Sequence, residues 1–369
     1  MKITDLTVTM FEWNDIPKIQ YGPQNVRISG AAKLGLVTVS TDEGLQGHSF
    51  LGSAMRGADL DAGSLIAVLK PEIIGQDALN REALFKRLSR RHRSTSLRAI
   101  GAVDVALWDL AGKAAGLPLY KLMGGYRDSV PAYASSPALY VPEAYSDQAI
   151  AVREAGYKAY KIHPPTQWET DIRVCTAVRD AVGSDYKLML DSTWSYRYDE
   201  ALRVGKAIEE LDYYWYEDPL AEDDIYGYVK LKQQLSIPLM ATEWSPGGFH
   251  AYAPWIMASA TDYLRGDVAV KGGLTGCLKA AHLADGFRLN FEIHHGGNSL
   301  NNVANIHLMC AVPNSEFFEV LLPDAAQKYG IIDDLQVGAD GMVAAPQKPG
   351  LGVEIDFAQI EKTRIAVLS

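Results

Sequence analysis

Lys187-Leu188-Met189-Leu190-Asp191 opens the part of the chain that decides the fold, and Tyr213-Tyr214-Trp215-Tyr216-Glu217 and Pro238-Leu239-Met240-Ala241-Thr242-Glu243 answer it. Each is a short apolar or aromatic run bounded by turn residues, the pattern of a strand buried on both faces. Each closes on an acid, and both intervals between the acids are twenty-six residues. That is about one strand-plus-helix unit of a parallel barrel, so equal phase puts Asp191, Glu217 and Glu243 at the same rim. Three carboxylates converging there repel one another unless a cation sits among them. A hard divalent ion, Mg²⁺ in the first place, is implied. Taken singly, each acid could instead cap a following helix, since acids favour helix starts; the equal intervals argue against coincidence.

Outward from this stretch, strands and helical segments such as 142–155 and 200–211 alternate from about Gly125 to about Leu322. This predicts an α/β fold with a parallel sheet and crossover helices, at the lower end of length for a barrel. The opening region reads differently. Segments 3–11 and 34–40 alternate as strands, and the polar, Pro- and Gly-bearing stretch 14–29 between them predicts a mobile loop in a small antiparallel sheet. Thr41-Asp42-Glu43-Gly44 is a hairpin turn. Over 98–115 the period becomes helical, with Ala99, Ala102, Val103, Ala106, Leu107 and Leu110 on one face and Gly116-Leu117-Pro118 as the stop. The expected organisation is an N-terminal α+β domain over 1–125, a barrel over 126–322, and a tail over 323–369 that returns to cover the first domain.

Composition narrows the function. The 369 residues carry a net charge of −10, with 48% hydrophobic and 22% charged residues. That balance suits a soluble globular protein and opposes nucleic-acid binding, because backbone phosphates would be repelled. The basic cluster at 87–93 lies in a helical pattern and reads as a solvated or subunit-contact face. Cys175, Cys277 and Cys310 are too scattered for a disulfide framework or a zinc site. Neither a signal-peptide pattern at Met1-Lys2-Ile3-Thr4-Asp5 nor a bilayer-length apolar run occurs, so a cytoplasmic enzyme with no membrane partner is expected.

Other strand ends carry polar groups where a barrel places its site. In Lys161-Ile162-His163, alternate residues point the same way, so both side chains can enter the barrel mouth. Asp267 begins Asp267-Val268-Ala269-Val270-Lys271, read as a strand, and His294 follows Phe291-Glu292-Ile293 on the next. A bond from the Asp267 carboxylate to one ring nitrogen would orient His294 and raise its basicity. Glu319 lies within Phe317-Phe318-Glu319-Val320. Each has a plainer reading as a structural hydrogen-bonder or turn cap. Lys271 reads as a structural partner, and His295 fits either role.

These motifs resemble the mandelate racemase branch of the enolase superfamily over nearly the full length. The first block is Ala102-Val103-Asp104-Val105-Ala106-Leu107-Trp108-Asp109-Leu110-Ala111-Gly112-Lys113, continuing through Pro118-Leu119 to Gly124-Gly125, with Met123 where Leu or Ile is usual. Leu188 to Asp191 with Glu217-Asp218-Pro219 is similar to the family's metal signature, with Thr193 in place of the common Asn. Asp267 to Gly272-Gly273-Leu274-Thr275-Gly276, followed by His294, is similar to its Asp-His dyad. The resemblance implies a modified TIM barrel, (β/α)₇β, under an N-terminal α+β capping domain. It implies one Mg²⁺ per subunit on Asp191, Glu217 and Glu243, and catalytic Lys161, His163, Asp267, His294 and Glu319. By the same likeness, a base removes the proton alpha to a substrate carboxylate, the ion stabilises the enediolate, and Glu319 donates a hydrogen bond to that carboxylate. Lys161 can add positive charge where the dianion develops.

One departure from the family matters. Its Lys-x-Lys is here Lys161-Ile162-His163, placing an imidazole where a lysine is usual. Imidazoles titrate near neutrality without help, whereas a lysine must be desolvated or crowded to become a base. His163 can be acid or base opposite His294, and which takes the first proton stays open.

The expected reaction is dehydration of a sugar acid, an aldonate or aldarate, to a 2-keto-3-deoxy acid. Racemisation, epimerisation or cycloisomerisation would use the same groups, and a non-catalytic sugar-acid binder is the reading from another class. The polar residues expected in the pocket, Ser192, Thr193, Ser195, His295, Asn298, Asn301 and Asn302, favour dehydration. Specificity is expected from loops over 13–25 and 48–56, with Lys18, Tyr21, Gln24, His48 and Arg56 as substrate-binding candidates. The resemblance further implies a homo-oligomer, dimer or octamer.

Overall fold

The structure, a computed structural model, describes residues 1–23 and 27–369. Alternating apolar residues at the start of the chain build β1 (Ile3–Ile19), which pairs antiparallel with β2 (Ile28–Thr41), and β2 pairs with β3 (Gln46–Leu51). Half of the predicted loop over 14–29 is therefore strand. Trp13, Ile16 and Ile19 recur at intervals of three, and register shifts between them turn all three inward despite that period. A search for strict alternation misses such a strand.

The helix Leu97–Ala115 begins where the Ser96 side chain accepts from Ala99 N at 3.1 Å and ends at Gly116, whose φ is 67°. It is clasped on two sides by close backbone approaches. A Cβ on Gly47 of β3 would stand 2.0 Å from Ala106 O, and one on Gly101 would stand 2.5 Å from Val268 O. Glycine is required at both positions, and the helix joins the cap to the barrel.

The apolar runs of the remaining chain form eight parallel strands. They are β4 (Ser129–Ser135), β5 (Ala159–Ile162), β6 (Lys187–Asp191), β7 (Trp215–Glu217), β8 (Leu239–Ala241), β9 (Tyr263–Gly266), β10 (Asn290–Ile293) and β11 (Phe318–Leu321). Their order in the sheet is β10-β9-β8-β7-β6-β5-β4-β11. A helix follows each of β4 to β10, while β11 leads only into a short 3₁₀ turn, Asp324–Ala326. This is the (β/α)₇β arrangement, and Tyr133, Met189, Trp215, Met240 and Phe317 form one buried cluster within it. Between β10 and β11 no ladder forms. Phe291 N donates to Asn314 O at 2.7 Å, the Glu292 carboxylate accepts from Glu316 N at 3.0 Å, and Glu319 Oε2 accepts from His295 N at 3.1 Å.

Asp191 and Glu217 end their strands and are register partners, as the equal phase requires. Glu243 stands just beyond β8, after Thr242 with its φ of 87°. The run that Asp267 was expected to begin is not a strand. β9 lies before it, and Asp267 Oδ1 accepts from Val270 N at 2.8 Å, which fastens a turn leading to Gly272 and Gly273 at φ 85° and 92°. The tail adds β12 (Met342–Ala344) against β4 and β13 (Arg364–Leu368) against β1. One apolar core includes Phe11, Trp13, Ile16 and Ile19 of the cap together with the barrel's interior. No helix among the described residues is long and apolar enough to cross a membrane.

Candidate active site

Strand ends bring the predicted groups to one rim as a row of alternating charges. Lys161 Nζ lies 3.2 Å from Asp191 Oδ2, 3.1 Å from both oxygens of Glu217 and 2.8 Å from Glu319 Oε1. His163 shares that side: its Nδ1 lies 2.7 Å from the Ser136 carbonyl, and its Nε2 is 3.0 Å from Asp191 Oδ2. At the other end, His294 Nδ1 is 2.5 Å from Asp267 Oδ2, and its Nε2 is 3.3 Å from Glu243 Oε1. Each imidazole thus stands on a different acid of the row.

Two members of the row were missed in the sequence. Arg265 Nε lies 2.6 Å from Glu217 Oε1 and 3.1 Å from Glu243 Oε2, and its Nη2 reaches Glu319 Oε2 at 2.5 Å and Tyr133 OH at 3.1 Å. Strand alternation could have found it, because Arg265 is in phase with Asp267. Asp218 follows Glu217 and, by alternation, should face away from the rim. Its φ of 43° breaks the alternation, and one oxygen each from Glu217, Asp218 and Glu243 lies within 4.8 Å of the other two. Asp218 is 1% exposed, and neither of its carboxylate oxygens has a hydrogen-bond partner.

The residues fit a hard cation. Every available ligand is a carboxylate oxygen, and the two oxygens of buried Asp218 lack any hydrogen-bond partner, as ligand atoms awaiting an ion would. Asp191 is not one of the acids whose oxygens lie within 4.8 Å of one another; Lys161 links it to Glu217, and Arg265 links Glu217 to Glu243.

Burial and charge oppose one another here. Burial alone would lower the Lys161 ammonium, and Arg265 adds to that, but Glu217 and Glu319 outweigh both and hold it well above its ordinary value. Burial would raise Asp191, yet Lys161 and His163 pull it below the usual range. Glu217 is pushed up to about 7 by burial, with Arg265 and Lys161 opposing. Burial, then Glu243 and Asp191, drive Asp218 well above its ordinary value. His294 is lowered by burial but raised more by Glu243 and Asp267, to about 9. Glu319, which burial would raise, is held well below its usual range by Lys161 and Arg265. In this arrangement Glu319 Oε2 accepts from Arg265 and His295 N, and Oε1 pairs with the Lys161 ammonium.

The loop candidates divide. Tyr21 reaches the site, with its ring centroid 5.5 Å from that of His163 and its hydroxyl accepting from Gln327 Nε2. Beside it, a Cβ on Gly22 would stand 2.8 Å from Thr193 Oγ1, so the segment seats closely on the residue that replaces the family's Asn. Arg56 lines a cavity of ≈170 Å³ that also borders Asp267, His294, Trp244 and Asn301. Lys18 is exposed on β1, and no contact among the described residues ties it to the rim. Gln24 lies outside the described residues.

His48 does not belong to the site. It is a β3 residue, buried, with Nδ1 3.1 Å from Thr38 Oγ1 and its ring against Phe357, because strand pairing continues through the predicted loop as far as Leu51. His295 points elsewhere too. Its ring packs on Phe318 with centroids 4.0 Å apart, burial lowers it to about 3, and it lines a separate cavity of only ≈20 Å³. Adjacent residues face opposite ways, so one of the pair had to leave the mouth. Several polar residues expected in the pocket serve the fold: Asn298 Nδ2 bonds Gly52 O at 2.8 Å, and Ser195 Oγ bonds Thr193 O at 3.1 Å. Asn302 borders the small cavity beside His295, and Ser192 is buried. Lys271 is a structural partner as expected, donating to Ser245 O at 2.6 Å.

Residues 144–360 match the enolase C-terminal domain-like family, and residues 13–124 match the mandelate racemase / muconate lactonizing enzyme N-terminal domain. The chain belongs to the mandelate racemase/muconate lactonizing enzyme family of the enolase superfamily. It is 29% identical to D-galactarolactone cycloisomerase of Agrobacterium fabrum over 99% of both chains. It is 28% identical to arabinonate dehydratase of Saccharolobus solfataricus, over 78% of this chain and 79% of that one. The structure of D-glucarate dehydratase from Agrobacterium tumefaciens, complexed with magnesium, superposes with a TM-score of 0.87 at 34% identity, covering 99% of this chain and all of that one. The family's relatives are thus acid-sugar dehydratases and cycloisomerases, and this chain is an enzyme of that superfamily.

Proposed function

We propose that this enzyme removes the proton alpha to the carboxylate of a sugar acid and eliminates the β-hydroxyl as water, yielding a 2-keto-3-deoxy acid. The observation that carries the reading is the pair of imidazoles, His163 and His294, anchored at opposite ends of one carboxylate row. Asp191, Glu217 and Glu243 would hold Mg²⁺, whose charge would neutralise the substrate carboxylate as the alpha proton leaves. Lys161 adds a fixed, buried positive charge beside the same position. Asp267 orients His294, and a cation on Glu243 would offset the charge that holds the imidazole at about 9 and free its Nε2 for the alpha proton. His163, oriented through Ser136, serves as the acid for the departing hydroxyl. Glu319 holds Lys161 and Arg265 in place rather than touching the substrate.

Cycloisomerisation or epimerisation is the second reading, favoured by the full-length likeness to a cycloisomerase. The test is Mg²⁺-dependent exchange of the alpha proton in D₂O across a panel of acid sugars, with 2-keto acid formation followed in parallel. Exchange with keto-acid release supports dehydration, and exchange without water loss supports the isomerase reading. His294→Asn should slow exchange by about 10²–10⁴-fold; an unchanged rate would remove its base role.

A further inference from the structure

A cleft of ≈950 Å³ lies where the cap helix Arg81–Ser89 and the segment after it face the barrel's 3₁₀ turn Phe249–Ala251. That is ample for a small molecule. Aromatic rings line it: Phe85 and Phe249 have centroids 6.4 Å apart at 41°, and the His250 ring rests on Phe249 at 3.8 Å. Around them stand four lysine and arginine side chains and a single carboxylate, Glu82, which is already paired with Lys279 at 2.8 Å. Lys86 and Arg90 come from the cap, are exposed, and have no ion pair among the described residues. Lys271 and Lys279 come from the barrel. Cations near the end of a helix answer its dipole, which accounts for Lys86 but not for the two contributed across the cleft. Lys271 is 2% exposed, and its ammonium makes one hydrogen bond, to Ser245 O at 2.6 Å, which leaves two N–H groups without an acceptor. In a chain of net charge −10 this is a local excess of positive charge set around aromatic faces. None of Asp191, Glu217, Glu243 or His294 borders the cleft, so it is separate from the carboxylate row.

We propose that this cleft is a second ligand site, for a nucleoside diphosphate, with the base against Phe85 and Phe249 and the phosphates between Lys86 and Arg90 of the cap and Lys271 of the barrel. A planar base has a π-face to set on the rings. Phosphate oxygens accept charge-assisted bonds from a guanidinium and two ammonium groups. A sugar acid brings charge but no aromatic face, and an apolar chain leaves the cations unanswered. A second copy of this chain does not fit, because a two-fold contact would set the same cations against one another.

The experiment titrates the Mg²⁺-loaded enzyme by calorimetry with ADP, inorganic pyrophosphate, adenosine and a short poly-glutamate, all at one ionic strength. ADP should bind at least about 10-fold more tightly than pyrophosphate, because stacking of the base adds to the charge, and adenosine and poly-glutamate should bind more weakly still. Arg90→Gln and Lys86→Gln should each weaken ADP by about 10-fold. Phe249→Ala should remove the advantage of ADP and leave pyrophosphate within about threefold. Arg91→Gln is the control: its guanidinium is engaged by Glu72 and does not border the cleft, so ADP should bind as it does to the parent. Pyrophosphate or poly-glutamate binding as tightly as ADP would reduce the cleft to a charged surface and overturn the proposal. ADP binding untouched by both Arg90→Gln and Lys86→Gln would place the nucleotide elsewhere and overturn it too, as would no ADP binding at millimolar concentration.

Discussion

Arg265 is fully buried, and its guanidinium lies against Glu217, Glu243 and Glu319 at once. Removing one side of a buried ionic cluster leaves uncompensated charge, so Arg265→Met should destabilise the metal-free protein by about 3–5 kcal/mol. A divalent ion would supply part of the missing charge. The rise in Tm on adding Mg²⁺ should therefore be larger in the variant than in the parent, and equal rises would refute the account. At this scale the sequence was informative wherever a side chain obeyed strand phase: Asp191, Glu217, Lys161 and Glu319 do. It was silent on Asp218, whose positive φ reverses the expected facing, and misleading on His48, whose strand was read as a loop.

The helix Leu97–Ala115 is the element on which cap and barrel meet. Its Asp104 accepts from Thr275 N at 2.8 Å and Thr275 Oγ1 at 2.7 Å, on the barrel helix Gly273–Gly286. Burial, only partly offset by these bonds, raises Asp104 to about 7 from 3.8. Over that interval the native state keeps a proton that the unfolded chain has lost. The stabilising contribution is thus complete below about pH 4 and is lost as pH rises through about 7. Asp104→Asn should flatten the fall in Tm between about pH 5 and 8, removing a pH-dependent part of up to a few kcal/mol. An unaltered Tm profile would contradict this. The helix itself was legible from its period and its Gly116 stop, but the pairing of Asp104 with Thr275 was not, because nothing local marks contacts between residues so far apart in the chain.

Over the whole molecule, the cap keeps an apolar core on one face of its sheet and on the other shares the barrel's. Trp13 of β1 stacks on Tyr329 of the tail with ring centroids 5.4 Å apart, inside the cluster that continues into the barrel. Calorimetry should accordingly give a single endotherm. Trp13→Ala, costing about 3–5 kcal/mol, should move that whole endotherm downward, and a split into two transitions would contradict a shared core. The alternation of strands and helices made the barrel legible, whereas β1 beyond Trp13 needed bulges that a simple period cannot encode. The joint between β10 and β11 has a wider meaning. Seven of the barrel's eight joints are hooped by peptide ladders; the eighth is laced mainly by side-chain carboxylates, Glu292 at its foot and Glu319 at its mouth. Glu319 also grips Lys161 and Arg265. The vessel is therefore closed at its mouth by a carboxylate that also anchors its charged row, and its roundness at that joint is a side-chain property where elsewhere it is a backbone one.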